Sequence, residues 1–499
     1  MKKVPSGILP LIVVDRKSGT PLHRQIYEAL RTGIVQGNLR PRQRIPSSRT
    51  LAIELGVSRF PVLNAYAQLL AEGYLESRVG AGTAVCGSLP EQFMSSRPPS
   101  RTTPAGSSAR RSSAPKPSIA SQATILRPPW LRGWGAFGVG QIAVEEFPTQ
   151  IWSKLVTRRA RNTDARFLHY GDRMGSKHLR ETLAEYLRAS RSLRCEADQI
   201  MIVNGSQQAL AIAAHVLLKP GAEVCFEEPG YPFARDAFLM TGCRVVPIPV
   251  DNEGLDVAMA ARKYSAARVA FVTPSHQFPL GVTMSAARRL RLLSWANETA
   301  SWIIEDDYDS EFRYDGSPVA SMQGLDTNSR VIYVGTFSKV LFPGLRMGYM
   351  VLPSSLVDRF AATRWATDLG PPTFFQDVVA DFIDEGHFAR HLRRMRMTYR
   401  ERRTVLVESI RKELGTRVEI LGSDAGMHLT VTLPARLRDT EIAERAARQN
   451  LWLWPLSSAY FGKRARSGFI LGFGSVSTAE IPRAVQKLAR LLDGKQSQT

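Results

Sequence analysis

Cysteine is nearly absent from this chain, with four in 499 residues. Cys86, Cys195, Cys225 and Cys243 lie far apart, with no CxxC pair and no metal-type spacing. Neither a disulfide framework nor a metal site of familiar spacing is encoded, and the four read as ordinary thiols of a reducing compartment. Long apolar runs are missing as well: nothing approaches the roughly 18 apolar residues that a membrane helix needs. The start, Met1-Lys-Lys3 followed by Gly7 to Val14, has the outline of a signal peptide. Pro10 interrupts its apolar stretch, Asp15 and Arg16 close it early, and no small-residue cleavage site follows. The expectation is a cytoplasmic protein with no membrane partner and no metal.

Acids are in short supply too. There are 45 Asp and Glu against 66 Lys and Arg, a net charge of +21. Such an excess points toward a polyanionic partner, although charge alone also serves solubility. With 44% hydrophobic and 22% charged residues the composition is that of globular protein. The length predicts two or three folded units.

Between residues 95 and 117 the chain has no aromatic residue, no acid and no apolar periodicity, only Ser, Pro, Ala, Gly, Thr and scattered Arg and Lys. Such a segment cannot bury enough surface to offset its ordering entropy, so residues 87–134 are expected to form a flexible linker. About 40 flexible residues span roughly 35 Å root-mean-square. A solvated basic tether is the simple reading, and contact between its arginines and phosphates is the alternative.

The linker separates a head, residues 15–86, from a body, residues 135–495. In the head, Leu22, Ile26, Leu30 and Ile34 share one helical face, and Gly37 closes that helix. Pro46 to Leu55, a turn at Gly56-Val-Ser58, and Arg59 to Glu72 give two short helices, each with a Ser cap. Ser77 to Val85 then predicts a two-stranded wing turning at Gly80 and Gly82. The pattern Pro46-Ser-Ser-Arg49, Leu51-Ala52, Gly56-Val-Ser-Arg59, Ala65-Tyr66 and Gly73-Tyr74 resembles the GntR-type winged helix-turn-helix over nearly the whole head. That resemblance implies an operator contact by Arg49, Ser58, Arg59 and the wing from Arg78 to Gly80. A recognition-helix N-terminus also suits such contact, because it offers base-reading side chains and a positive dipole. Phe60-Pro61 departs from the family, which commonly has a polar residue and Thr there. A small module that binds protein rather than DNA is the plainer alternative for the head.

The body alternates apolar strands (Ile200–Val203, Glu223–Phe226, Val269–Val272, Trp302–Glu305, Val331–Val334) with helix-length segments such as 207–218 and 286–297, and shows no solenoid-period repeat. The expected fold is α/β with a mostly parallel sheet. Lys339 ends a strand beside Thr336, Ser338 and Arg346, surroundings suited to a Schiff-base lysine next to a phosphate cup. Glu305-Asp-Asp307 ends another strand where α/β sheets place ligands. Asn204 to Leu210 follows a strand and opens a helix, a cradle for phosphate, and Glu228-Pro-Gly-Tyr-Pro232 puts an aromatic ring on a loop. Each motif has a bland reading as surface charge or solvated loop; their convergence is what carries weight.

Together they resemble the fold-type I aminotransferases, and with the head the MocR/GabR-type regulators. The resemblance implies pyridoxal 5'-phosphate (PLP) held as an aldimine on Lys339. Asp306 is then expected on the pyridine nitrogen, Tyr308 on the ring oxygen and Tyr231 stacked on the ring. Ser206, Gln207, Thr336, Ser338 and Arg346 are expected to form the phosphate cup. Tyr170 is expected to reach a partner's phosphate in a homodimer, and the loop from Thr273 to Gly281 to put His276 or Gln277 near the ring.

One enzyme feature is not evident. Aminotransferases anchor the substrate carboxylate with an arginine on a late strand, because a bidentate pair fixes the amino acid. Here that stretch is Gly468-Phe-Ile-Leu-Gly-Phe473, without arginine, the loop at Trp454 to Ser458 is uncharged, and Arg464 and Arg466 read as surface residues. The expectation is therefore a transcription regulator, not an enzyme, that binds operator DNA and senses PLP or an amine or amino-acid effector. A working aminotransferase with a DNA-binding head and a degenerate dimerisation scaffold are the alternatives.

Overall fold

The apolar spacing from Leu22 to Ile34 forms helix α1 (Leu22–Val35), with Ile26, Leu30 and Ile34 buried. The computed structural model describes residues 12–78, 82–87, 129–162, 169–314, 320–462 and 465–493. The chain divides into two compact units between Ser112 and Ser113. In the first, α2 (Ser48–Glu54) is capped by Ser47, whose hydroxyl accepts the Thr50 N–H at 3.1 Å. Helix α3 (Arg59–Ala71) has Ser58 at its cap position without a side-chain cap bond. Pro61 sits in its first turn, where a missing N–H costs little. The Tyr66 hydroxyl donates to the Pro46 carbonyl at 2.9 Å and ties α3 to the start of α2. Burial of Ile26, Leu30, Leu51, Val62 and Leu69 in one cluster contributes about 1.5–3 kcal/mol each. Strands β1 (Leu75–Arg78) and β2 (Gly82–Val85) pair antiparallel as the wing, from Leu75 opposite Val85 to Arg78 opposite Gly82. Gly80 and the side chain of Arg78 lie outside the described residues.

In the second unit the strands are β3 (Ile200–Val203), β4 (Glu223–Glu228), β5 (Arg244–Asp251), β6 (Gly254–Leu255), β7 (Val269–Val272), β8 (Trp302–Asp307), β9 (Val331–Thr336) and β10 (Gly348–Val351). They form one sheet in the order β3-β10-β9-β8-β7-β4-β5-β6. The neighbours from β5 through β4, β7 and β8 to β9 are parallel, and β10 runs against both its neighbours. Their unbroken apolar runs have a physical cause. Val269 and Phe271 of β7 pack with Leu210 and Ala213 of α4 (Ser206–Leu217), whereas Ala270 and Val272 pack with Leu292 and Trp295 of α5 (Ala286–Glu298). A strand covered on both faces has no polar side to alternate with.

A second sheet, β11 (Glu419–Leu421), β12 (His428–Thr432), β13 (Trp454–Pro455) and β14 (Gly468–Gly472), is antiparallel in the order β11-β12-β14-β13. Its Leu429, Phe469 and Leu471 share a core cluster with Tyr399 and Leu406 of the 28-residue helix α6 (His387–Leu414) and Val485 and Leu488 of α7 (Ile481–Leu492). The last residues of the expected linker, which extends through residue 134, include ordered backbone. Pro129–Leu131 form a 3-10 turn, and Trp130 packs its ring against the apolar cluster of Phe278, Trp454 and Ile470. Residues 88–128, most of the segment expected to be a linker, lie outside the described residues. Among the described residues no helix is long and apolar enough to cross a membrane. All four cysteines are free thiols.

Candidate functional site

A cavity of about 570 Å³ opens where three parallel strands end. Thr273 follows β7, Asp306, Tyr308 and Asp309 come from the end of β8, and Thr336, Ser338 and Lys339 from the end of β9. The carboxyl edge of an α/β sheet is where ligands are expected, because strand ends and helix N-termini converge there. The second sheet closes the other side with Met427, His428 and Trp454.

The three acids that end β8 part company because strand side chains alternate. Glu305 accepts the N–H groups of Met322 and Gln323, both at 2.9 Å, and Asp307 accepts the Tyr333 hydroxyl at 2.6 Å. Asp306 alone lines the cavity. Its Oδ1 is buried with no hydrogen-bond partner, and burial, then Asp307 and Asp309, push its carboxyl up to about 7. Lys339 is half-buried, with its Nζ donating to the Gly140 carbonyl at 2.9 Å. Burial holds that amine below its ordinary range, against the opposing pull of Asp309 and Asp306. A lysine so placed loses its proton more readily and becomes a better nucleophile.

Ser206 and Gln207 begin α4, whose first turn leaves backbone N–H groups without helical acceptors. Arg346 reaches this turn, donating to the Asn204 carbonyl at 3.1 Å. Gly205 leaves the room: at φ 84° it is in the left-handed region, and a Cβ there would lie 3.3 Å from the Arg346 guanidinium. Thr336 accepts the Ser338 N–H at 3.1 Å, folding the strand end back toward the same corner. The five expected phosphate residues therefore border one cavity.

Tyr231 borders it as well, edge-on to Phe233 and Phe278. Tyr308 does too, but its hydroxyl donates to the His276 carbonyl at 2.9 Å, so that hydrogen must turn before it can serve a ring oxygen. Neither His276 nor Gln277 is among the residues that line the cavity. Gln277 is not on the cavity wall: its amide is buried and donates to Glu227, Pro229 and Phe278, and its carbonyl accepts the Leu280 N–H. His276 lies one layer behind, its Nδ1 3.2 Å from both Asp309 carboxylate oxygens and 3.1 Å from the Tyr308 hydroxyl. Tyr170 does not join the cavity of its own chain; it is 77% exposed, edge-on to Trp365.

Sequence reasoning gave no role to Gly140, Asp309, Phe233, His428 or Trp454. Asp309 stands two residues beyond the acid run Glu305-Asp-Asp307, and the other four belong to segments without a local chemical motif. In the head, Arg49, Ser58 and Arg59 are exposed near the α3 N-terminus, whose first turn carries no acid. Arg59 Nε donates to the Ser48 hydroxyl at 3.1 Å.

Residues 22–85 match the model of the bacterial regulatory proteins, gntR family, and residues 137–488 that of aminotransferase class I and II. The probable rhizopine catabolism regulatory protein MocR of Rhizobium meliloti is 40% identical over 96% of this chain and 95% of its own length. The chain belongs to the MocR-type regulators. Another relative, the HTH-type transcriptional regulator TauR of Rhodobacter capsulatus, is 31% identical over 94% of the chain and 96% of its own. The body also resembles the solved kynurenine aminotransferase of Pyrococcus horikoshii in complex with PMP, at 31% identity and a TM-score of 0.68, over 73% of this chain and 91% of that one. This MocR-type regulator thus joins a GntR head to an aminotransferase fold. On β14, the stretch where the resemblance to aminotransferases places a carboxylate-binding arginine, it has only Gly468, Phe469, Ile470, Leu471 and Gly472, all buried. Arg466 nearby is paired with Glu419 at 3.1 Å on the surface, and Arg464 lies outside the described residues.

Proposed function

We propose that this transcription regulator binds PLP at Lys339, and that PLP, or an amine that joins it there, changes the hold of the head on operator DNA. The observation that carries this reading is the Asp306 carboxylate, buried with an unpartnered oxygen in the same cavity as the half-buried Lys339. A buried acceptor without a donor is costly, and the N–H of a pyridinium ring supplies the missing donor.

The residues present fit the group. Lys339 would hold its aldehyde carbon, Asp306 its ring nitrogen, and Tyr231 would pack on the ring. Arg346, Ser338, Thr336 and the first turn of α4 would hold its phosphate. When bound, PLP supplies an electrophilic carbon for amines and an electron-withdrawing ring. The chain contributes a lysine amine biased toward its neutral form, an anion held against the ring nitrogen, and walls that keep water away.

In the head, Arg49, Ser58, Arg59 and the wing with Arg78 and Gly80 would contact DNA. The exposed Tyr170 is free to reach a second copy, as expected of a homodimer whose two heads read two half-sites. We take the head as 15–86 and start the body at Pro129. A regulator is favoured over an enzyme because the arginine clamp is missing from β14. Catalysis is the second reading, favoured by the likeness to the kynurenine aminotransferase.

The test is fluorescence anisotropy on the protein's own upstream DNA, with and without PLP, for the wild type and Lys339→Ala. The expected result is a PLP-dependent change in affinity or stoichiometry that the variant loses while still binding DNA. Tight DNA binding indifferent to PLP and to added amines would overturn the reading. Steady amino transfer to a keto acid at about 1 per second or faster would favour the enzyme.

A further inference from the structure

The part of the cavity not taken by the residues above is walled by Leu131, Val139, Phe233, Phe278 and Trp454. Its charged lining is two acids, Asp306 and Asp309, and two cations, Lys339 and Arg346, among the described residues. Arg346 is committed to the corner at Asn204 and Gly205. Asp309 accepts the Met427 N–H at 3.1 Å and faces His276. With Lys339 held at the Gly140 carbonyl and read as the cofactor's lysine, a carboxylate entering here would meet no free cation among the described residues, and it would face the Asp309 side chain. Removing an ion from water without a partner is strongly unfavourable.

One polar side chain on this wall is not committed. His428, the first residue of β12, borders the cavity, is 3% exposed, and has an Nε2 that meets no hydrogen-bond partner. Its other nitrogen is held by the Pro279 carbonyl, and a carbonyl only accepts, so the ring hydrogen sits there. The unmet nitrogen is then a lone-pair acceptor. Burial, with His276 and Lys339 nearby, holds this ring well below the ordinary histidine range and so uncharged. An uncharged acceptor wants a hydroxyl or amide N–H. It offers a carboxylate nothing.

We propose that the effector of this regulator is an amine without a carboxylate, carrying an apolar or aromatic frame against Phe233, Phe278 and Trp454 and a hydrogen-bond donor, such as a hydroxyl, for His428. This rests on PLP binding in the body and names the class of amine read there.

The experiment uses full-length PLP-loaded protein and three matched probes: L-phenylalanine, L-phenylalaninol and 2-phenylethylamine. Binding is read from the change in the visible absorbance of the bound cofactor and from DNA anisotropy. L-Phenylalaninol should bind at least about 10-fold more tightly than L-phenylalanine and more tightly than 2-phenylethylamine. His428→Phe should erase the alcohol's advantage over the plain amine while leaving the acid weak. Should that variant fail to fold, the order of the three probes on the wild type decides. L-Phenylalanine binding as well as the alcohol, or better, overturns the proposal, and loss of that binding in Arg464→Ala would trace the missing cation to that residue. A wild type that takes up no PLP sinks the underlying reading as well, an outcome distinct from uptake with preference for the acid.

Discussion

Lys339 Nζ and the Gly140 carbonyl meet at 2.9 Å across 199 residues of sequence, and Gly140 has no side chain to get in the way. At φ 79° it occupies the left-handed region, and a Cβ there would come within 2.5 Å of that amine. Gly140→Ala therefore attacks the lysine without removing it. The expected outcome is at least a 10-fold loss of PLP uptake in a protein whose circular dichroism matches the wild type. Normal uptake would show that the amine leaves the carbonyl at no cost.

Asp306 carries a pH prediction. Its carboxyl is raised to about 7 in the fold from an ordinary 3.8, so the folded form holds the proton longer than the unfolded chain. Between those values the native state binds more protons, and stability falls as pH rises. Asp306→Asn removes that cost, so in the cofactor-free protein the melting temperature of the variant should exceed the wild type by more at pH 8 than at pH 5. The same variant should bind PLP at least 10-fold more weakly. A pH-independent difference in melting temperature would remove the buried charge from the account.

Gly205 tests the phosphate corner separately. A methyl at φ 84° is strained and crowds Arg346. Gly205→Ala should weaken PLP about 10-fold while leaving pyridoxal, which lacks the phosphate, nearly unaffected. Equal losses for both ligands would place the damage in the fold rather than in phosphate binding.

Phe60 makes the head's departure from its family measurable. It is the second residue of α3 and 70% exposed, so the head's own core does not explain it. In a major groove, the apolar mark within reach of such a ring is the thymine methyl. Operator DNA copied with uracil in place of thymine should bind the wild type about 3- to 5-fold more weakly, near the 0.8 kcal/mol of one buried methyl-sized group. Phe60→Ala should be nearly blind to the exchange. An equal response of both proteins assigns the loss to DNA shape.

What the sequence disclosed depends on where each strand meets polar chemistry. Ile200–Val203 and Val269–Val272 were legible end to end, because every residue is apolar and buried. The expected β4, β8 and β9 stopped two residues short, at Phe226, Glu305 and Val334, where acids, Gly335 and Thr336 break the apolar run. The backbone pairing continues past those points, and at β8 and β9 the added residues Asp306 and Thr336 line the cavity. Lys339 and Asp306 were visible as motifs. His428 and Trp454 were not, since what brings them to the cavity is the packing of a second sheet more than 80 residues away in sequence. Gln277 stays off the cavity wall for a related reason: its residue type suits a ligand, but Glu227 and Pro229 accept its amide hydrogens.

The cavity has walls from two sheets, Asp306 and Lys339 on one side and His428 and Trp454 on the other. Any molecule that fills it is a rivet through both plates. Its binding free energy then depends on how the plates are set, and by the same thermodynamic cycle their setting depends on the molecule. An enzyme would use that dependence to close over a substrate for one turnover. A regulator keeps the rivet in place, and the strain it sets becomes a stored message.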